Sequence, residues 1–181
     1  MIEDKLLIYK FKQSRDGALR LIYDKYKVSL LKLAVVMTND INSSEDIVHD
    51  VFVKFAQSAD RIKLSGSLKS YLVTSVINRV RTIHRDSTRH AQTSIDSVPV
   101  PACSSRNPSQ WAILSERLEM LGKALSQLPY EQREVISLHM EMDMSFRQIA
   151  AMQKISVNTA KGRYRYAIAK LKSLLNSEIE K

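Results

Sequence analysis

Residues 145–172, SFRQIAAMQKISVNTAKGRYRYAIAKLK, hold the strongest local signal in the chain. Ser145, with Gln148 three residues later, has the capping-box pattern that begins a helix. Ser156 is suited to cap a second helix after a short turn, and small Ala150 lies where the two helices must approach each other. A short helix, a tight turn and a capped second helix predict a helix-turn-helix.

The same stretch is basic and contains no Asp or Glu. Folded surfaces usually mix charges of both signs, so this segment is either a solvated basic face or a surface that lies against a polyanion. In a helix-turn-helix the second helix enters the DNA major groove with its N-terminal residues at the base edges. The residues predicted to contact DNA here are Arg147, Ser156, Asn158, Thr159, Lys161, Gly162, Arg163, Arg165 and Tyr166.

These side chains suit different parts of DNA. Asn158 has the amide that reads adenine, and Lys161 and Arg165 have donors that read guanine or hold phosphate. Arg147 and Arg163 are better placed for the sugar–phosphate backbone, which positions a protein without reading sequence. A carboxylate anywhere on this face would be repelled by the phosphates, which accounts for the missing acids.

Two further details of this stretch concern the turn and the tyrosines. The turn often holds a glycine in a left-handed conformation, but Lys154 occupies that place, which costs about 1 kcal/mol. Tyr164 shares the apolar face of the second helix with Ala160 and Ala167 and is expected to pack. Tyr166 falls outside that face and is available for stacking on bases.

Outside this stretch the chain divides into two helix-rich blocks, residues 1–86 and 109–181. Between them, residues 87–108 contain three of the four prolines and many Ser and Thr residues, which predicts an extended or disordered linker. Gly and Pro number only four each, and strand-like alternation is scarce. We therefore predict an all-α fold of two small helical domains joined by a flexible linker, the C-terminal one a helix-turn-helix.

A break at TNDINSS separates two helices of the first block. Ser43 is predicted to cap the second of these, with Asp46 three residues later. Its apolar stripe comprises Ile47, Val48, Val51, Phe52 and Phe55. Its other side carries Asp46, His49, Asp50 and Val53. That side is either an ordinary solvated face or a docking face for a basic partner.

A second acid-free basic element runs from Arg61 to Arg85 and includes a predicted helix over residues 68–85. One such element is weak evidence for a polyanionic partner, but here each block has its own. The net charge of +9 and the pI near 9.7 agree with a nucleic acid, an anionic membrane or an acidic partner.

Other features argue against enzymes, metal sites and membrane insertion. The four histidines lack metal-ligand spacing, and no nucleophile motif, carboxylate cluster or phosphate loop is present, so we predict no catalytic residue, metal or cofactor. Cys103 is the single cysteine, which excludes an internal disulfide framework. The charged N-terminus lacks a signal-peptide core, and the longest apolar run, AVVM at 34–37, is too short to span a bilayer. We expect a soluble, cytoplasmic protein.

Both blocks resemble domains of bacterial RNA polymerase sigma factors. LPYEQREVISLHMEMDMSFRQIAAMQKISVNTAKGRYRYAIAKL, at 128–171, resembles their fourth, promoter-reading domain. SSEDIVHDVFVKFAQ followed by SYLVTSVINRVRTIHR, within 43–85, resembles their second domain. The order of the two, with a linker between them, resembles the extracytoplasmic-function (ECF) class of the sigma-70 family.

The resemblance implies a division of labour. The second domain, 1–86, would dock on the β′ clamp helices of core RNA polymerase through Asp46, His49, Asp50 and Val53. It would also bind and melt the −10 element. The fourth domain, 109–181, would read the −35 element and rest on the β flap, and the linker would run through the polymerase. The residues implied at the −10 element are Arg61, Lys63, Lys69, Tyr71, Asn78 and Arg79.

The resemblance also implies a non-catalytic protein that is a monomer when free and is controlled by an anti-sigma factor. The alternative is a stand-alone helix-turn-helix transcription regulator that binds an operator as a dimer. Such a regulator would use its N-terminal block for sensing or dimerisation and would need no second basic helix. A nucleic-acid-processing enzyme is a weaker third alternative.

Overall fold

The computed structural model describes residues 2–13, 15–58, 67–90 and 120–179. All regular structure in these segments is α-helical, which confirms the predicted fold class. The chain forms two compact units, Met1–Asp96 and Ser97–Lys181. Each has its own core, and none of the described helices is long and apolar enough to cross a membrane.

The first unit contains four helices: α1 (Ile2–Gln13), α2 (Arg15–Thr38), α3 (Ile41–Gln57) and α4 (Leu68–His90). Helix α2 packs against the other three, and α3 also packs against α4. Because α4 continues to His90, residues 87–90 are helical although they were expected in the linker. The remainder of the predicted linker, 91–108, lies outside the described residues.

The core of this unit follows the helical periodicity of the sequence. The apolar stripe predicted on α3 is buried throughout, and α4 buries Leu68, Leu72, Val73, Val76, Ile77 and Val80. Helix α1 is held by the ring of Phe11, which stacks on Phe55 with centroids 4.9 Å apart. The buried side chains of α2 are Ala18, Ile22, Tyr26, Leu30, Leu33, Ala34 and Met37.

The start of α3 differs from the prediction that Ser43 caps it. The cap is Asp40, whose carboxylate accepts hydrogen bonds from the backbone N–H groups of Asn42 and Ser43. The Ser43 hydroxyl donates to that same carboxylate. This hydrogen bond, followed by those from the backbone, holds the pKa of Asp40 below its ordinary value. The helix begins three residues early because Asp40 satisfies its first free N–H groups.

The second unit contains a helix over residues 120–126 (α5), followed by α6 (Tyr130–Met140), α7 (Phe146–Gln153) and α8 (Val157–Ile179). Its core joins α5, α6 and α8. The sequence of residues 111–128 is amphipathic and predicts an apolar face of Ile113, Leu114, Leu118, Leu121 and Leu125. Of these, Leu121 is 38% exposed, and the first three lie outside the described residues. The core cluster comprises Ala124, Leu128, Ile136, Ala167 and Leu171.

Candidate nucleic-acid interfaces

The entry into the helix-turn-helix is the capping box predicted from the sequence. Ser145 Oγ accepts a hydrogen bond from the Gln148 backbone N–H at 3.3 Å, and Gln148 Oε1 accepts one from the Ser145 N–H at 2.8 Å. Two of the free N–H groups at the start of α7 are thereby satisfied. Helix α7 begins at Phe146 for this reason.

The turn between α7 and α8 has the predicted left-handed residue. Lys154 adopts φ 55° and ψ 43°, and its N–H donates back to the end of α7. The N–H of Ile155 donates to the Ala150 carbonyl at 3.0 Å. Ser156 then caps α8, because its Oγ accepts the Thr159 N–H at 3.0 Å. Both predicted caps of the motif are confirmed.

Two sets of contacts fix α8 against its neighbours. Arg163 Nη1 donates to Gln153 Oε1 at 2.8 Å, which ties α8 to the end of α7. On α6, the His139 ring stacks on Phe146 with centroids 4.3 Å apart and meets the Tyr164 ring edge-on at 5.0 Å. Tyr164 is therefore a packing residue, as predicted.

The opposite face of α8 is exposed and polar. Asn158, Thr159, Lys161 and Arg165 are all exposed. Tyr166 is 61% exposed, and the Arg165 guanidinium lies 5.6 Å from the centre of its ring. The structure thus brings these five residues onto one accessible surface.

The remaining predicted residues of this motif differ in accessibility. Arg147 on α7 and Ser156 at the start of α8 are exposed, whereas Gly162 is half-buried. Arg163 is also half-buried, and its hydrogen bond to Gln153 gives it a structural task within the motif. Arg163 is thus a predicted DNA contact whose side chain is also bonded within the motif.

Two basic residues of α8 were left out of the predicted site. Lys170 and Lys172 are exposed and follow the predicted contacts along the helix. The signal for them was the acid-free sequence that runs through residue 172. A surface with several cations and no carboxylate suits a polyanion, because each phosphate contact adds favourable electrostatic energy.

In the first unit, α4 distributes its predicted contacts over different sides. Tyr71 and Asn78 are seven residues apart and share the outward face by helical spacing. Asn78 is exposed, whereas the half-buried Tyr71 ring lies 6.0 Å from the Phe55 ring. Lys69, in the first turn, lies on another side of the helix. Arg61 and Lys63 lie outside the described residues.

Arg85 is an exposed cation on α4 that the predicted site did not include. Arg85 lies seven residues beyond Asn78 and therefore on the same outward face. Its Nε lies 3.8 Å from Asp86 Oδ1, and both side chains are more than half exposed. The helical repeat from Asn78 was the signal that would have included Arg85.

The outward face of α3 has the composition predicted for it. Asp46 and His49 are exposed, and Val53 is 39% exposed. Asp50, on the same face, accepts a hydrogen bond from Arg79 Nη2 at 3.0 Å. The side chains of this ion pair are 43% and 38% exposed. Two residues predicted for different partners, the polymerase and the −10 element, are therefore in direct contact.

The pair has one unsatisfied atom. Arg79 Nε is buried and has no hydrogen-bond partner among the described residues. A guanidinium offers several donors in a fixed plane, so the single bond to Asp50 leaves part of its hydrogen-bonding capacity unused.

Metal ligation is not suggested by the geometry, because the part of the chain that the structure describes contains no cluster of three His, Cys, Asp or Glu side chains.

Comparison with protein families identifies both units. Residues 22–90 match the family model described as Sigma-70 region 2, and residues 118–171 match the one described as Sigma-70, region 4. The chain belongs to the sigma-70 family. The two matches of this sigma-70 protein cover the two units in turn, and the second includes the helix-turn-helix.

Relatives of this sigma-70 protein are ECF sigma factors, as the resemblance implied. It is 27% identical over 147 residues to the ECF RNA polymerase sigma factor EcfG of Rhodopseudomonas palustris, covering 81% of this chain and 79% of EcfG. It is 28% identical over 159 residues to the ECF RNA polymerase sigma factor SigL of Mycobacterium tuberculosis, covering 87% and 88%. The chain is a sigma-70 family protein of the ECF class.

A solved structure supports the fold. The sigma factor RpoE from Bartonella quintana, in a co-crystal with the anti-sigma factor NepR, superimposes with a TM-score of 0.68 at 24% sequence identity. The match covers 86% of this chain and 96% of RpoE.

Proposed function

We propose that this protein is a dissociable sigma subunit that binds core RNA polymerase and directs it to specific promoters. The observation that carries the proposal is the pairing of sigma-70 regions 2 and 4 in one chain. Each region also contributes a helix that is rich in basic residues, and on α8 several of these lie on an exposed face. A stand-alone regulator would need only the second of these.

Core polymerase is bound through the outward face of α3. Asp46, His49, Asp50 and Val53 dock on the β′ clamp helices, where the carboxylates meet basic side chains. Val53, which is 39% exposed, adds an apolar contact. A mixed acidic and apolar face suits a reversible interface, because charge pairs steer encounter and the apolar contact adds burial.

The −10 element is opened and held by α4 and the segment before it. Unstacking a base costs a few kcal/mol, so the protein supplies a cationic track and stacking surface for the single strand. Asn78 and Tyr71 contact bases, and Lys69 and Arg79 contact the strand. Arg61 and Lys63 belong to the same proposal.

The −35 element is read by α8 in the major groove. Asn158, Lys161 and Arg165 face the bases, while Arg147 and Ser156 contact the backbone. This unit also rests on the β flap of the polymerase. The protein has no catalytic activity of its own, and transcription chemistry belongs to the core enzyme.

The proposed regulation and location of this protein are those of the ECF class. The free protein is a cytoplasmic monomer, and an anti-sigma factor holds it away from polymerase. The support for this partner is the likeness in fold to RpoE, whose solved structure is a complex with the anti-sigma factor NepR.

Direct binding to core polymerase tests the proposal. The fluorescently labelled full chain is titrated with core enzyme in the absence of DNA. Saturable one-to-one binding is expected, and the Asp46→Arg variant is expected to bind more weakly because its charge is reversed. Lys161→Ala serves as the matched control that keeps core affinity. A chain that ignores core polymerase but binds a palindromic duplex as a dimer would establish the stand-alone regulator instead.

A further inference from the structure

Gly162 is half-buried, and by helical spacing it lies at the centre of the α8 face that points away from the core. Successive residues of an α-helix are rotated by roughly 100°, so Gly162 lies roughly 200° from buried Ala160, two residues earlier. Ala167 and Leu171 are buried on the same side as Ala160. The face that points away from the protein core is therefore centred on a residue without a side chain.

Exposed side chains surround this position. Asn158 and Arg165 lie on one side of Gly162, and Thr159 and Tyr166 lie on the other, at the three- and four-residue spacings that share a helix face. All four are exposed. The result is a gap bordered by hydrogen-bonding groups on one side and by residues with apolar atoms on the other.

None of the described residues requires a glycine here. A Cβ placed on Gly162 would meet no atom within 4 Å, and the residue has no positive φ. Glycine weakens a helix interior relative to alanine. A glycine at this position leaves room for a molecule that approaches this face.

We propose that the gap at Gly162 accepts the 5-methyl group of a thymine and makes Gly162 a specificity-determining residue for the upstream promoter element. This inference rests on the proposed function, in which α8 lies in the major groove. A position without a side chain forms no side-chain hydrogen bond with a base. It can therefore discriminate between bases only through the size of the group that fits against it. Among the groups that bases present in the major groove, thymine contributes the one methyl group.

The site is first defined with the native protein. The full chain bound to core RNA polymerase selects duplexes from a library randomised across the upstream element. A strong preference for a T·A pair at one or more positions is expected. Matched duplexes are then made in which each preferred thymine is replaced, one at a time, by deoxyuridine, which lacks the methyl group.

Gly162→Ala is compared with native protein on these duplexes. Its added methyl group should lower affinity for the thymine duplex roughly tenfold, the size of one good base contact. Deoxyuridine at one position should restore most of that affinity, because removing the base methyl makes room for the alanine. Gly122→Ala, in α5, is the matched control, since a Cβ there also meets no atom within 4 Å. Gly122→Ala should bind the thymine duplex and every deoxyuridine duplex as the native protein does.

Several results would overturn the inference. These are an unchanged affinity of Gly162→Ala, or an equal loss on the thymine duplex and every deoxyuridine duplex. Selection of an upstream element without thymine would overturn it while leaving the proposed function intact. Selection of no upstream element would overturn both. Because alanine favours helix, neither glycine variant should melt below the native protein, which separates lost recognition from lost folding.

Discussion

Lys154 adopts a backbone conformation that is unfavourable for a residue with a Cβ. Its φ of 55° is left-handed, a region that costs a residue with a Cβ about 1–2 kcal/mol. The turn nevertheless forms, because the N–H groups after α7 find carbonyl partners. The left-handed conformation of Lys154 therefore lowers the local stability of the turn.

Replacing this residue should stabilise the second unit. Lys154→Gly removes the steric cost but makes the unfolded chain more flexible, so a net gain of up to about 1 kcal/mol is expected. Lys154→Ala is the control, since it removes the same charge and keeps the Cβ at positive φ. Thermal unfolding of the full chain measures both. Equal shifts in the two variants would mean that the charge, and not the backbone, determines the effect.

Tyr26 predicts an alkaline limit to the stability of the first unit. Burial first, and then its hydrogen bond to Asp4 at 2.7 Å, raise the pKa of Tyr26 from 10.0 to about 12. Between these values the unfolded chain loses a proton that the folded chain keeps. The stability that this group contributes is therefore fully present below pH 10 and is lost as the pH rises toward 12.

The measurement is thermal unfolding across that pH range for native protein and Tyr26→Phe. The native melting temperature should fall more steeply than that of the variant, which has no hydroxyl to titrate. Parallel curves would show that Tyr26 ionises alike in the folded and unfolded chains. The variant also loses the hydrogen bond to Asp4, so its melting temperature at neutral pH should be lower.

At the scale of helices, the Asp50–Arg79 pair links the proposed docking face of α3 to α4, the helix proposed to bind the −10 element. Because both side chains are more than a third exposed, the pair contributes at most about 1 kcal/mol to stability. Asp50→Arg should lower stability slightly, by placing two guanidinium groups together. It should also weaken core binding.

A charge swap separates these two effects. In Asp50→Arg combined with Arg79→Asp, the ion pair re-forms, so the melting temperature should recover. Core affinity should stay low, because the outward carboxylate of α3 is still lost. Recovery of core affinity in the double variant would show that Asp50 acts by supporting α4 and not by contacting polymerase.

Helix α8 yields the complementary prediction. Lys161→Ala and Arg165→Ala should each weaken binding of the holoenzyme to promoter DNA roughly tenfold, the loss expected for one base or phosphate contact. Core affinity should not change. Arg163→Ala is an informative comparison, because loss of its bond to Gln153 should lower the melting temperature as well. If Lys161→Ala or Arg165→Ala lost core affinity, α8 would belong to the polymerase interface.

Over the whole molecule, local features followed from the sequence and long-range ones did not. The capping box at Ser145, the turn at Lys154 and the buried stripe of α3 depend on spacings of a few residues, which the helical repeat determines. The pairing of Asp50 with Arg79, 29 residues apart, depends on how α3 packs on α4. The stacking of Phe11 on Phe55 is of the same kind.

The cap of α3 was missed for a different reason. Asp40 and Ser43 are both good cap residues, separated by one helical turn, and the residue after Asp40 is apolar Ile41. The sequence offered two starts of similar quality. Asp40 prevails because its carboxylate binds two backbone N–H groups and the Ser43 hydroxyl together.

Transcription itself tests the central claim, that one chain joins a polymerase-binding unit to a promoter-reading unit. Run-off transcription is measured with core RNA polymerase from the source organism and a genomic promoter library, with and without the protein. We predict new transcripts from a defined promoter set whose members share an upstream and a downstream element. A core enzyme that stays inactive with this protein present, at concentrations that saturate binding, would contradict the account.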